Sequence, residues 1–172
     1  RTEIDSFSRI ASYGHDASGP SQIVVWTKSG LKMEYGATQA SRYIPFGETT
    51  PLAWNLNRVE DTFGNYYTVE YQTYSDTGET YPFKIRYTGN DGVTPTAEIK
   101  FLYFRRPDET RGFIAGGQML NRRLLDRIEI RSADQGFRNY SFKYEQSVES
   151  RSSRLVSVAV DDFKDHQAIP IA

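Results

Sequence analysis

Trp54-Asn55-Leu56-Asn57-Arg58-Val59-Glu60-Asp61-Thr62-Phe63-Gly64-Asn65-Tyr66-Tyr67-Thr68-Val69-Glu70-Tyr71 alternates in side-chain character on both sides of a turn. Trp54, Leu56 and Arg58 interleave with Asn55, Asn57 and Val59, and Tyr67, Val69 and Tyr71 interleave with Thr68 and Glu70. A period of two places successive side chains on opposite faces of a strand. Between the runs, Asp61 is suited to an Asx-type side-chain bond, and Gly64 or Asn65 to a positive φ. The segment reads as a β-hairpin with Asp61, Gly64 and Asn65 as its structural turn.

The pattern extends in both directions. Upstream, Phe7 to Tyr13, Gln22 to Lys28 and Leu31 to Tyr35 read as strands, with Gly14 to Pro20 as a loop and Ser29-Gly30 as a tight turn. Ala37 to Pro51 is irregular, and a short helix fits only at Thr38 to Tyr43. Downstream, Phe83 to Tyr87, Glu98 to Phe104, Leu124 to Ile130, Tyr140 to Tyr144 and Arg154 to Val160 are further strands between polar, Gly-bearing stretches. The expected fold is all-β: an antiparallel meander of hairpins forming a sandwich or a curved sheet layer. Ile99, Phe101 and Tyr103 face one way and Leu102 and Phe104 the other, which favours strands covered on both faces. Trp26, Trp54, Tyr71, Phe101, Tyr103, Tyr140 and Phe142 are the expected core aromatics.

Composition narrows function. The 172 residues carry 12 Tyr and 10 Phe, which suit pleated, half-buried surfaces. Basic and acidic side chains number 21 and 22, so no global field draws the chain to nucleic acid or an anionic membrane. There is no cysteine, hence no thiol chemistry or disulfide, and no apolar run reaches the roughly 18 residues of a membrane helix. The chain opens Arg-Thr-Glu, and 1–172 reads as one β-rich module excerpted from something longer.

Candidate chemistry is sparse. His15 and His166 sit in polar surroundings near opposite ends, and nothing in their spacing makes them converge. No nucleophile elbow, phosphate loop or dinucleotide fingerprint occurs. Asp161, Asp162 and Asp165 are the densest acidic patch and are read as solvated. No cofactor and no metal is expected. A hydrolytic carboxylate pair stays open only because 22 acids are present. Trp26 and Trp54 are natural sugar-stacking candidates, but each lies in an apolar run, which favours packing.

Taken whole, Trp54 to Asn65 followed by Tyr71 resembles the SpvB-like domain of bacterial toxin complex (Tc toxin) B components and related Rhs/YD-repeat proteins. The order of further elements is similar to that family over about residues 20–160. These are Trp26 to Gly36, Tyr81 to Tyr87, Phe101 to Asp108 (with Phe104 where an acid is common), Arg123 to Ile128, Tyr140 to Tyr144 and Ser153 to Val158. The resemblance implies a secreted, non-catalytic structural module of a β-shell that encloses or delivers a toxic cargo. Its partners would be other regions of the same long chain and a C-like component. The family's region offers no catalytic residues to carry over, and the Arg…Ser-Thr-Ser…Glu-x-Glu series of the namesake's separate transferase is absent here. The alternative is an extracellular β-sandwich that binds glycans through exposed aromatics.

Overall fold

The computed structural model describes residues 8–133, 135–161 and 169–171. The strands run β1 (Arg9–Asp16), β2 (Gly19–Trp26), β3 (Lys32–Tyr35), β4 (Arg42–Tyr43), β5 (Ala53–Trp54), β6 (Leu56–Glu60) and β7 (Tyr66–Tyr74). They continue as β8 (Glu79–Gly89), β9 (Ala97–Ile114), β10 (Gly117–Ser132), β11 (Gln135–Gln146), β12 (Ser153–Asp161) and β13 (Ile169–Ile171). Eleven of them form one sheet whose spatial order is the chain order, every neighbour antiparallel; β4 and β5 pair separately. The meander is therefore present. Of the two expected forms, the described strands build a single layer and not the two facing sheets of a sandwich.

Two expectations are corrected locally. Gly14 to Pro20 is not a long loop, because β1 and β2 pair out to Asp16 and Gly19 and leave only Ala17-Ser18 to turn. Thr38 to Tyr43 holds one 3-10 turn, Gln39–Ser41, followed directly by β4. Ser41 is fully enclosed, its hydroxyl 2.7 Å from Thr38 O and 2.8 Å from Asn57 Oδ1, and Asn57 Oδ1 also accepts the Ala37 amide at 2.7 Å. These local side-chain bonds compete with continued helix.

Register sorts the side chains, since residues directly opposite in antiparallel strands share a face. One cross-strand row reads Glu34, Arg58, Thr68, Arg86, Glu98, Arg131, and the next reads Glu70, Lys84, Lys100, Glu129, Asn139. Ion pairs lace these rows, Lys84–Glu98 at 2.9 Å, Arg86–Glu70 at 2.9 Å and Arg131–Glu129 at 3.3 Å. The other face reads Val25, Met33, Val59, Tyr67, then Val69, Ile85, Ile99, Ile130, then Phe101, Ile128, Tyr140, Val160. The expectation of apolar cover on both faces thus fails across the sheet centre, where Phe83-Lys84-Ile85-Arg86-Tyr87 and its neighbours alternate cleanly. The two-sided pattern survives only towards one end, where the Phe104 and Tyr144 rings meet at 5.9 Å.

The apolar face is half-buried rather than enclosed. Among the described residues, the buried apolar side chains are Val24, Val59 and Ala97.

At one tight point a glycine is obligatory. Gly36 has φ 72°, and a Cβ there would lie 2.2 Å from Trp54 Cδ1 and 3.2 Å from Ser21 O. Gly36→Ala should cost about 1–3 kcal/mol through the left-handed backbone alone, with displacement of Trp54 added to that. Urea unfolding followed by tryptophan fluorescence measures the loss.

Candidate functional site

The side-chain clusters that a site could use lie where the sheet departs from regularity. On β9, residues 106–109 stand opposite Arg122 alone, because Arg105 pairs with Arg123 and Thr110 with Asn121. Pro107, which lacks an amide proton, fits such a bulge. The excursion carries Asp108 to the start of β12, 45 residues on in sequence and beyond β10 and β11 in the sheet. There Asp108 accepts the Ser153 amide at 2.6 Å and the Ser153 hydroxyl at 2.5 Å, while Arg106 grips it through Nε at 3.0 Å and Nη2 at 2.9 Å. The Arg106 guanidinium, and then Ser153, hold the Asp108 carboxyl well below the usual carboxylate range.

The same bulge leaves Arg122 outside the β9–β10 ladder, and its amide donates to Glu79 Oε1 at 2.7 Å. Glu79 is 3% exposed and also accepts from the Tyr81 hydroxyl at 2.6 Å and the Thr77 hydroxyl at 2.8 Å. The Tyr81 ring meets Tyr103 at a 40° tilt with centroids 5.1 Å apart and Tyr74 edge-on at 6.3 Å, and the Arg123 guanidinium lies 4.0 Å from the Tyr74 ring centre. Burial and then Glu79 raise the Tyr81 phenol; burial pushes Tyr103 up to about 12. Both Glu79 oxygens are occupied by structural donors. The arrangement satisfies a buried carboxylate and ties the β7–β8 turn to β10.

The turn at Asp61 is a third clasp. Asp61 Oδ1 accepts the amides of Phe63 at 2.8 Å and Asn65 at 2.9 Å, and Oδ2 accepts Asn65 Nδ2 at 2.9 Å. Asn65 and then these amides lower the Asp61 pKa. Gly64 has φ 79°. Asn90, from the β8–β9 loop, donates to Phe63 O at 3.2 Å and Asn65 Oδ1 at 2.8 Å, joining two turns.

The aromatics expected in a core are all half-buried; Trp54 lies on β5 and the others along the eleven-strand sheet. Trp54 donates to Pro20 O at 2.7 Å and packs against Gly36, and the Arg9 guanidinium lies 4.8 Å from the Trp26 ring centre. Tyr71 donates to Leu56 O at 2.9 Å and Tyr103 to Pro82 O at 2.8 Å. Phe101 and Tyr140 share a row through Ile128, and Phe142 faces Val158. His15 lies on β1 with Nε2 2.9 Å from Ser12 Oγ; His166, Asp162 and Asp165 fall outside the described residues. Among the described residues, no three His, Asp or Glu side chains are grouped to hold a metal, and no helix is long and apolar enough to cross a membrane. The Asp108–Ser153 and Glu79–Arg122 contacts were not anticipated. Arg106-Pro107-Asp108 and Ser153 were visible as separate motifs, but nothing local joins them.

Asp108→Asn should lower the thermal midpoint at neutral pH. A carboxyl whose folded pKa is depressed contributes stability above its unfolded pKa, roughly 3.9, and loses it as pH falls through the folded value. The difference in midpoint between wild type and Asp108→Asn should therefore hold from neutral pH to mild acid and close below the unfolded carboxylate range. A difference that closes already near neutrality would contradict the clasp.

By sequence the chain matches no protein-family model and no curated protein. By structure it superposes on the N-terminal domain of the effector protein SpvB from Salmonella typhimurium strain LT2. The TM-score is 0.79 at 13% identity, covering 94% of this chain and 67% of that one. It also superposes on a chain of the TcdB2–TccC3–Cdc42 crystal structure, with TM-score 0.77 at 14% identity, covering 97% of this chain and 11% of that one. A chain of the Photorhabdus luminescens Tc holotoxin pore gives TM-score 0.76 at 14% identity, covering 96% and 10%. The chain spans about a tenth of the Tc chains it matches. Clasped turns on a single antiparallel meander are thus set in a fold shared with the SpvB N-terminal domain and with part of the Tc toxin chains.

Proposed function

We propose that this chain is a non-catalytic structural module, residues 1–172 forming one β-rich piece of a larger secreted toxin-complex or Rhs-like protein. In this reading it contributes to a β-shell that encloses or delivers a toxic cargo. It packs against other regions of its own long chain and a C-like component. The carrying observation is the mismatch between eleven paired strands and, among the described residues, three buried apolar side chains. An apolar sheet face needs a second layer, and the described residues supply only the short β4–β5 pair with its 3-10 turn and loop against part of the sheet. The shared fold, found as a small part of much longer Tc chains, agrees with such a setting. So does the use of Asp108, Glu79 and Asp61 as staples, with their oxygens already bonded. The glycan-binding alternative has no comparable support, since Trp54 is packed on backbone and Trp26 sits beside Arg9.

The two faces allow a direct test. The chain has no cysteine, so Ile85→Cys and Arg86→Cys place adjacent probes on opposite faces. In the isolated chain both should react with a maleimide. In the longer protein that contains it, the probe at 85 should become protected while the probe at 86 keeps reacting. Equal labelling of position 85 in both contexts would refute a covered apolar face.

A further inference from the structure

The 3-10 turn and β4 form one wall of a concavity of about 520 Å³ beside the β7–β8 turn. Its volume lies in the range of small-ligand sites, which are apolar with a few convergent polar groups. Ile44 and Tyr74 supply apolar wall, Thr73 and Ser75 supply hydroxyls, and Arg42 supplies the charge. Arg42 differs from most guanidiniums in the sheet. Arg58, Arg86, Arg105, Arg106 and Arg122 each hold a carboxylate. Arg42 has no ion pair, and its Nε is buried without a hydrogen-bond partner among the described residues. Glu48 also lines the concavity and makes no ion pair with Arg42. That Nε is sealed from the concavity; it is the guanidinium as a whole, lining the concavity without an ion pair among the described residues, that matches a carboxylate through paired N–H groups.

We propose that this concavity is a binding site for a carboxylate carried on an aromatic stem, with Arg42 receiving the carboxylate and Tyr74 and Ile44 flanking the ring. The peptide form of such a ligand is a chain ending in an aromatic residue; the free form is an aryl alkanoic acid.

The test is an NMR titration of the 172-residue chain with N-acetylphenylalanine, its neutral isostere N-acetylphenylalaninamide, and 3-phenylpropionate. Saturable shifts at the Arg42 Nε–Hε signal and at the Ile44, Thr73 and Ser75 amides are expected with the acids and not with the amide. Tighter binding of N-acetylphenylalanine than of 3-phenylpropionate assigns the peptide source, and equal binding the free acid. Arg42→Met should abolish the shifts and leave the remaining spectrum in place. If that variant does not fold, the wild-type contrast between acid and amide decides alone. Equal shifts from the amide, or no saturable shift from either acid, would overturn the proposal.

Discussion

The eleven-strand antiparallel ladder, which passes directly from β3 to β6, is the constraint on which everything else in this molecule depends. Once each strand of this sheet pairs with its neighbour, backbone polar groups are satisfied strand by strand and the period of two distributes side chains without further choice. Across the sheet centre charges then collect on one face, where Glu, Lys and Arg neutralise one another, and Val, Ile, Phe and Tyr collect on the other. A one-residue slip would exchange the faces. The bulge beside Arg122 is pinned by the Glu79 carboxylate and by the Asp108–Ser153 contact.

Those pins explain how a thin layer holds its shape. Asp108 reaches across two intervening strands to Ser153, Glu79 takes the amide freed at Arg122, and Asp61 with Asn90 joins two turns at one edge of the hairpin series. Each uses a carboxylate or amide whose acceptors are filled by identified donors, which is the condition under which a buried or half-buried polar network adds rigidity. None of these contacts substitutes for a second apolar layer. They fix curvature and register, and they leave the row through Ile85, Ile99 and Ile130 for something else to cover.

Much of this was legible in the residues. The hairpin at Asp61 to Asn65 followed from alternation and turn chemistry, and the all-β meander followed from the same pattern repeated along the chain. The distal half of β9 was hidden, because Arg105-Arg106-Pro107-Asp108-Glu109 has the composition of a loop. It is held extended by pairing with β10 and by long-range bonds that no local window contains. The core aromatics were legible as sheet residues but not as half-exposed ones. Alternation tells which side chains share a face, and it cannot tell whether another layer lies on that face. Glu79 was hidden for a related reason: a lone acid in Gly78-Glu79-Thr80 looks solvated until folding brings Arg122 and Tyr81 to it.

The central claim is that this chain by itself leaves a large apolar surface in water. Calorimetry of the isolated chain tests it most directly, since the heat capacity of unfolding reports apolar area newly exposed. A fully packed domain of 172 residues would give roughly 2.1–2.6 kcal/mol/K. The account predicts a value clearly below that range. A value within or above it would mean that the apolar face is already covered, and would contradict the account.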